Sequence, residues 1–145
     1  MKKRNRWLLL LLLLLAIATG VYYYMPRKTS SPMPAHFIIT DSALHINSDE
    51  LIIKVWDYSA VDGDTVDILF DGKKVFETLA IQDSAVVYHT KKLSRGEHWI
   101  GVEALTEGWS PPASPHISVT SGSQSFEFDI EAYIGKPAGR KIIVD

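Results

Sequence analysis

The residues best suited to chemistry in this chain are carboxylates crowded into one short segment. Five aspartates fall within positions 57–71, and no lysine or arginine lies between Lys54 and Lys73; the five are Asp57, Asp62, Asp64, Asp67 and Asp71. Carboxylate oxygens on a loop are the ligands that Ca²⁺ prefers. The candidates for a calcium site are therefore Asp57, Asp62 and Asp64, and the sequence suggests no other cofactor.

The spacing of these carboxylates nevertheless favours turns over a metal site. In an EF-hand loop a third ligand would fall where this chain has Val66. Aspartate and glycine readily build Asx-type turns, here around Gly63, and Asp67 would then lie on a solvated strand face. We therefore expect structural turn chemistry with no bound metal or cofactor, and calcium binding is the alternative.

Other reactive groups are missing from the sequence or poorly spaced. The chain has no cysteine, which excludes disulfides, thiolate metal sites and a cysteine nucleophile. Its five histidines show no i, i+2 or i+4 pairing, so a zinc site lacks a recognisable ligand set. Neither a Gly-x-Ser-x-Gly elbow nor a phosphate-binding loop occurs. We therefore expect no catalytic residues and a chain that is not an enzyme.

An apolar segment near the N-terminus predicts a membrane anchor. Trp7 to Met25 form an apolar run about 28 Å long at roughly 1.5 Å per residue, which just crosses a hydrocarbon core. Four basic residues precede this run and two follow it, a bias that exports the remainder of the chain. We expect residues 1–25 to be retained as a signal anchor. The alternative is a cleaved signal peptide, because Ala16-Ile17-Ala18 has the small-x-small form that signal peptidase recognises.

Two regions follow the predicted anchor. Residues 26–35 hold three prolines and three hydroxyl residues, which is the composition of an extended linker. Residues 36–145 are one domain's worth of chain, and their nine basic and 17 acidic residues give a formal charge of −8. Nucleic acid and anionic lipid would be repelled by such a domain, so neither is an expected partner for it.

Apolar residues recur with a period of two through residues 36–145. The clearest rows are Leu51-Ile53-Val55, Val66-Ile68-Phe70 and Phe126-Phe128-Ile130, and turn signals follow about every ten residues. The pattern predicts an all-β, antiparallel sandwich of about seven to nine strands, preceded by one transmembrane helix.

Asp71-Gly72 gives the strongest hairpin signal, since both central positions of a type I′ turn need a positive φ. A two-residue loop would pair Ile68 with Val75, whereas a three-residue loop with a bulge would pair Ile68 with Phe76. The sequence leaves both registers open.

Several of these residues form a pattern seen in a known family. The stretch IKVWDYSAVDGDTVDILF at Ile53–Phe70, followed by Asp71-Gly72-Lys73, resembles an immunoglobulin-like β-sandwich domain of bacterial secreted and envelope proteins. The pattern continues with an Arg95-Gly96-Glu97-His98 corner and with Ala104, Gly108, Pro111 and Pro112. The similarity covers most of residues 50–145, and the chain departs from it at Ala113, where the pattern has asparagine. The resemblance implies a non-catalytic module without a defined ligand.

Two loop aromatics, Tyr58 and Trp109, have competing interpretations. Large aromatic side chains are mostly buried, so we expect Trp109 to cap the core beside Pro111-Pro112, with Trp56 and Trp99 packed at the interface of the second sheet. If Tyr58 and Trp109 were exposed at one end of the sandwich, their flat faces could stack on sugar rings.

The sequence as a whole predicts a single-pass protein of the inner, cytoplasmic membrane. Its C-terminal domain would lie on the periplasmic or extracellular side and play a structural or protein-interaction role. The membrane would be contacted through the N-terminal helix, and the further partner would be an unidentified envelope protein or a glycan. The alternative function is a carbohydrate-binding module, assisted by calcium.

Overall fold

The computed structural model describes Trp7 and residues 11–17, 30–58 and 61–145. Trp7 and residues 11–17 are helical. Among the residues described, no helix has the length and apolar character needed to cross a membrane. Most of the predicted anchor (residues 1–25), the Ala18 end of the alternative cleavage motif and the first four residues of the predicted linker lie outside the described residues.

The rest of the described chain is built from ten strands in two sheets. The strands are β1 (Ile38–Ile39), β2 (Leu44–Ile46), β3 (Ile52–Trp56), β4 (Asp64–Phe70), β5 (Lys73–Ala80), β6 (Val86–His89), β7 (Gly96–Glu107), β8 (His116–Ser121), β9 (Gln124–Asp129) and β10 (Ala138–Val144). The first sheet has the order β1-β10-β7-β4-β5, with β2 also paired to β10, and the second has the order β6-β3-β8-β9. The prediction of a mainly β fold in two sheets is thus confirmed, although the described residues form ten strands and the sequence predicted about seven to nine.

One edge of the first sheet departs from the antiparallel expectation. Strands β1 and β2 both run parallel to β10, β1 along its first residues and β2 along its last. All other strand pairs within the two sheets are antiparallel. The beginning and the end of the domain are therefore hydrogen-bonded side by side.

The two sheets share one hydrophobic core. Ile53 and Val55 of β3 enter it from the second sheet, and Val66 and Ile68 of β4 enter it from the first, all at no more than 1 % exposure. The alternate apolar residues that the sequence displays in these strands thus form the face that is turned toward the core. On edge strand β9 the same alternation is weaker in effect, because its phenylalanines, including Phe128, are only partly buried.

A second, smaller cluster covers the outer face of the first sheet. Trp99 is 1 % exposed and packs with Leu69, Phe37 and Met33, separately from the main core. Its indole Nε1 donates a hydrogen bond of 2.7 Å to the carbonyl of Ser31, and the Phe37 ring meets it edge-on at 5.2 Å. The expectation that Trp99 packs at the second sheet's interface is wrong, because a segment predicted to be a linker covers it instead.

The β4–β5 hairpin combines features of both registers that the sequence left open. Phe70 pairs with Lys73 across a two-residue turn in which Asp71 has φ 49° and Gly72 has φ 79°. An irregularity next to Leu69 then shifts the pairing, so that Ile68 faces Phe76. The turn is therefore the two-residue turn, but Ile68 pairs with Phe76 as in the bulged register. Both hold because the extra residue lies inside β5 and not in the turn.

Removing residues 30–35 should weaken the domain without unfolding it. A fragment of residues 30–145 keeps the cover over Trp99, whereas a fragment of residues 36–145 opens part of that ring to water. We expect both fragments to unfold cooperatively in urea, with the longer one about 1–3 kcal/mol more stable, through the apolar area and the hydrogen bond that it keeps. Met33→Ala in the longer fragment is the matched variant and should lose part of this difference. Equal stability of the two fragments would contradict a stabilising cover.

Candidate functional site

Three loops meet at one end of the two sheets, where β3, β7 and β9 finish; we call this the loop end. The β7–β8 and β9–β10 loops are joined by a pair of backbone hydrogen bonds between Ala113 and Ala132, at 3.1 and 2.9 Å. Glu107 accepts a hydrogen bond from the backbone N–H of Ile134 at 2.6 Å. Ala113, where the family pattern has asparagine, is fully buried between these loops. The loop end is therefore a hydrogen-bonded assembly.

Two of the calcium candidates connect the β3–β4 region to the β7–β8 loop. Asp62 Oδ2 accepts a hydrogen bond from the N–H of Ser110 at 3.0 Å, and Asp64 Oδ2 accepts one from the N–H of Ser114 at 3.2 Å. Asp64 is 6 % exposed. The Oδ1 atom of each of these aspartates is buried and accepts no hydrogen bond from the described residues. Each aspartate thus holds the β7–β8 loop through its Oδ2 atom, while its Oδ1 atom is buried without a hydrogen-bond donor from the described residues.

The electrostatics of this pair favour a retained proton. Burial raises the pKa of Asp64 to about 6, an increase that the hydrogen bond from Ser114 opposes and the charges of Asp62 and Asp57 reinforce. Asp62 also lies within hydrogen-bonding reach of the Asp64 carboxyl. A proton on Asp64 supplies the donor that the two Oδ1 atoms lack, so protonation removes the repulsion between the buried Asp64 and its half-buried neighbour Asp62.

Two further aspartates of the cluster, Asp67 and Asp71, have separate structural partners. Asp67 is 3 % exposed, which contradicts its predicted place on a solvated strand face. Burial acts to raise its pKa, but the ion pair with Lys74 Nζ at 2.6 Å and the hydrogen bond from the Thr78 N–H at 2.7 Å hold that pKa below its usual range. Asp71 accepts hydrogen bonds from Trp99 N–H at 3.1 Å and from His98 Nδ1 at 2.6 Å. These carboxylates join β4 to its neighbours.

The five aspartates do not converge on one point. Among the described residues, no group of three or more histidine, aspartate or glutamate side chains is arranged to hold a metal ion. Asp57 is the third calcium candidate, and its backbone N–H donates to the Gln82 carbonyl at 2.6 Å. Its charge acts on Asp64, but the closest arrangement remains the pair of Asp62 and Asp64. The geometry fits a proton-sharing pair better than a calcium site, which needs six to eight oxygens.

Both loop aromatics are exposed. Trp109 is 92 % exposed, so the expectation that it caps the core is wrong. Tyr58 is 75 % exposed and stacks one face on the His116 ring, at 5.0 Å between ring centroids. His116 is held in turn by Asp129, whose Oδ1 lies 2.6 Å from Nδ1. The loop end therefore presents two flat aromatic surfaces to solvent.

A second exposed apolar group was missed by sequence reasoning. Beside the loop end, five residues lie between 42 % and 60 % exposed, and we call them the apolar surface: Ile38, Ile39, Leu105, Tyr133 and Ile134. Tyr133 lines two shallow cavities of about 310 and 480 Å³, one next to Leu105 and the other next to Ile38 and Ile39. The available signal was an apolar Tyr133-Ile134 pair placed directly before the Gly135-Lys136-Pro137 turn.

Comparison with known proteins gives no match to a family model, to a curated protein or to a solved structure. The immunoglobulin-like resemblance therefore remains a prediction from the sequence pattern. Function is inferred from the geometry of this chain.

The Asp62–Asp64 pair makes stability fall as pH rises. Folded Asp64 keeps its proton up to about pH 6, whereas the unfolded carboxyl loses it near its ordinary value of 3.8. The free energy of unfolding should therefore decrease between about pH 4 and pH 6, by on the order of 2 kcal/mol from this group. Asp64→Asn keeps an acceptor for Ser114 and offers an N–H to Asp62. We expect this variant to be more stable than wild type at pH 7.5, with a flatter profile from pH 4 to 6 in urea titrations.

Asp83→Asn serves as the control, because Asp83 is an exposed carboxylate on the neighbouring β5–β6 loop and its replacement should leave the profile unchanged. A destabilised Asp64→Asn variant with an unaltered pH slope would refute the proton-sharing pair.

Calcium should leave thermal stability unchanged. A ligand that binds only the folded state at about a hundredfold excess over its Kd adds roughly 2.7 kcal/mol, or a shift on the order of ten degrees for a domain of this size. We expect 1 mM Ca²⁺, about a hundred times a ten-micromolar Kd, to leave the melting temperature within about two degrees of its value in EDTA. A large rise that disappears in the double variant Asp62→Asn, Asp64→Asn would establish a calcium site instead.

Proposed function

We propose that this chain is a membrane-anchored, exported, non-catalytic module that holds a protein-binding surface away from the membrane. Residues 1–25 form the anchor of this proposal, and residues 36–145 form an immunoglobulin-like sandwich on the periplasmic or extracellular side. The sequence supports the anchor through its apolar run and its charge bias. The described residues support the fold and the role of the domain through the strand order, the contacts of the polar side chains and the positions of the two ends of the domain.

The strand order supports the immunoglobulin-like assignment. In that fold one sheet has the strand order G-F-C and the other carries strands B and E. Here β10, β7 and β4 follow the first order, and the neighbours β3 and β6 take the places of B and E. The β8–β9 hairpin, inserted between β7 and β10, lies on the side of β3 where strand A would otherwise stand. The fold would thus be a variant with one added hairpin.

The polar side chains of the described residues favour a non-catalytic role. His98 is 3 % exposed and hydrogen-bonds both the Asp71 carboxylate and the Ser94 carbonyl, so it supports the Asp71-Gly72 turn from within the structure. The Asp62 and Asp64 carboxyls lie beside each other and accept from two backbone amides, and among the described residues no serine or threonine hydroxyl is seen to hydrogen-bond to them. General acid–base catalysis needs histidine or carboxyl groups beside a substrate. Here His98 and the two carboxyls instead hold loops and turns in place.

The proposal rests mainly on which end of the domain lies near the anchor and which end bears the apolar surface. Ser30 donates a hydrogen bond to the carbonyl of Glu97, near the start of β7, whereas Leu105 of the apolar surface lies near the end of that strand. Leu105 lies eight positions beyond Glu97 along the extended strand, which is about 26 Å. Only five residues lead from Met25 to Ser30, about 18 Å when fully extended. The membrane would therefore adjoin one end of the domain, and the apolar surface would face away from it.

The carbohydrate-binding alternative rests on the two exposed aromatics. One face of Tyr58 is backed by His116 and the other is open, which is the arrangement of a sugar-stacking platform. It differs from the main proposal in one respect that can be measured: Trp109→Ala and Tyr58→Ala should weaken binding to polysaccharide and leave protein binding unchanged.

Labelling of single cysteines tests the proposed orientation, because the natural chain has none. In intact cells, Trp109→Cys should react with a membrane-impermeant maleimide, and the matched Asn5→Cys should react only after lysis. The full chain should remain in the membrane pellet after a carbonate wash and retain Met1. An N-terminus at Thr19, or release by carbonate, would contradict the anchored arrangement.

A further inference from the structure

The apolar surface includes an open strand edge. Ile38 and Thr40 donate their backbone N–H groups to Pro137 and Gly139 of the β10 side, at 2.9 and 3.1 Å. Because donors alternate in direction along a strand, the N–H of Ile39 points away from β10. Within the described parts of the chain, β1 pairs only with β10. The outer edge of β1 can therefore accept a further strand.

The side chains on both sides of this edge are apolar and exposed. Ile38 and Ile39 are each 54 % exposed, and Tyr133 is 45 % exposed between the two cavities that it lines. Exposed aliphatic and aromatic side chains that cluster in this way mark interaction sites on soluble domains. An added strand would place its alternate side chains on this apolar surface.

The charges around the surface are mainly acidic. Glu103 lines the first cavity, Asp129 and Glu131 line the second, and Lys136 is the one cation among the described residues that line either cavity. Glu131 is exposed and has no ion-pair partner within the residues described. A binding partner that carries positive charge would be attracted to this rim, whereas a second copy of a domain with a formal charge of −8 would be repelled.

We propose that an extended segment of another protein, in which apolar residues alternate with lysine or arginine, pairs with the outer edge of β1 and lies on the apolar surface. This inference rests on the proposed function, since it names the class of partner that the exported domain binds. Main-chain hydrogen bonds to Ile39 supply affinity, and the apolar surface with its acidic rim supplies specificity.

The test uses the full chain in a non-ionic detergent and a labelled synthetic peptide, acetyl-Arg-Ile-Arg-Val-Arg-Ile-Arg-Val-amide. Ile39→Asn and Tyr133→Asn should each weaken binding about tenfold, because apolar burial is lost. Val87→Asn is the matched control, since Val87 is 46 % exposed on β6 of the other sheet, and it should bind like wild type. Ile39→Pro should weaken binding about threefold or more, because it removes one outward donor that the fold does not use.

A second pair of variants tests the charge requirement. Glu131→Gln should weaken peptide binding at low salt, whereas Glu77→Gln, on the far edge strand β5, should not. A peptide with glutamate in place of each arginine should not bind. Circular dichroism and thermal melts of every variant establish that each one is folded.

Other outcomes would overturn the inference. Equal weakening by Ile39→Asn and Val87→Asn would mean unspecific binding, and full affinity in Ile39→Pro would exclude strand addition. Self-association in sedimentation that Ile39→Asn abolishes would assign the surface to a second copy. Polysaccharide binding lost in Tyr133→Asn would assign it to a glycan. Carbonate extraction and cysteine labelling are measured separately, on membranes and intact cells before detergent is added, so loss of the anchored orientation can be told apart from failure of the peptide site.

Discussion

The described part of this protein depends on carboxylates that tie β4 to the segments around it. Asp64 at the start of β4 holds the β7–β8 loop through Ser114, Asp67 in its middle holds β5, and Asp71 directly after it holds β7. The contacts of Asp64 and Asp71 reach segments distant in sequence, and that of Asp67 reaches the adjoining strand of the hairpin. Hydrogen bonds to charged groups contribute more than neutral ones. Asp64, Asp67 and Asp71 are thus spread over more than 20 Å of extended chain, at roughly 3.3 Å per residue, and do not come together.

The outer face of the first sheet imposes a second constraint. A sandwich normally turns one face of each sheet to water, but here Leu69 and Trp99 place apolar side chains on that face. The chain covers them with residues 31–37 before β1 begins. The path of residues 31–37 into the domain is therefore fixed by packing. Under the proposed function, this path determines which end of the domain adjoins the membrane.

The sequence predicted those parts of the fold that are set by local pattern. The row of Ile53 and Val55 identified a strand and its buried face, because one face of β3 packs in the core. Asp67 was misplaced because it is buried on the face that alternation assigns to solvent. Trp99 was expected at the interface of the second sheet, but the segment before β1 buries it, and period-two patterns reveal neither partner. Trp109 was misplaced for the opposite reason, because a general preference for burial says nothing of a particular loop.

The candidate site was predicted only in outline. Asp62, Asp64 and Tyr58 were identified by type and spacing. The partners that determine their role, Ser110, Ser114 and His116, come from the β7–β8 loop and the start of β8, about fifty residues away. The apolar surface escaped prediction because it joins β1 to the β9–β10 loop across a parallel pairing, and one sequence carries no signal for such a pairing.

The route of residues 30–39 has a mechanical consequence. They run from the contact with Glu97 across Trp99 to the β1 edge. Under the proposed function, a pull exerted between the proposed anchor and a partner on β1 would travel along these ten residues. The sandwich core is outside this line of force. Tension would first meet the packing of Met33 and Phe37 over Trp99, a small apolar contact that can yield while both sheets stay folded. Under load, this segment would lengthen before the domain unfolds, as an extensible link would.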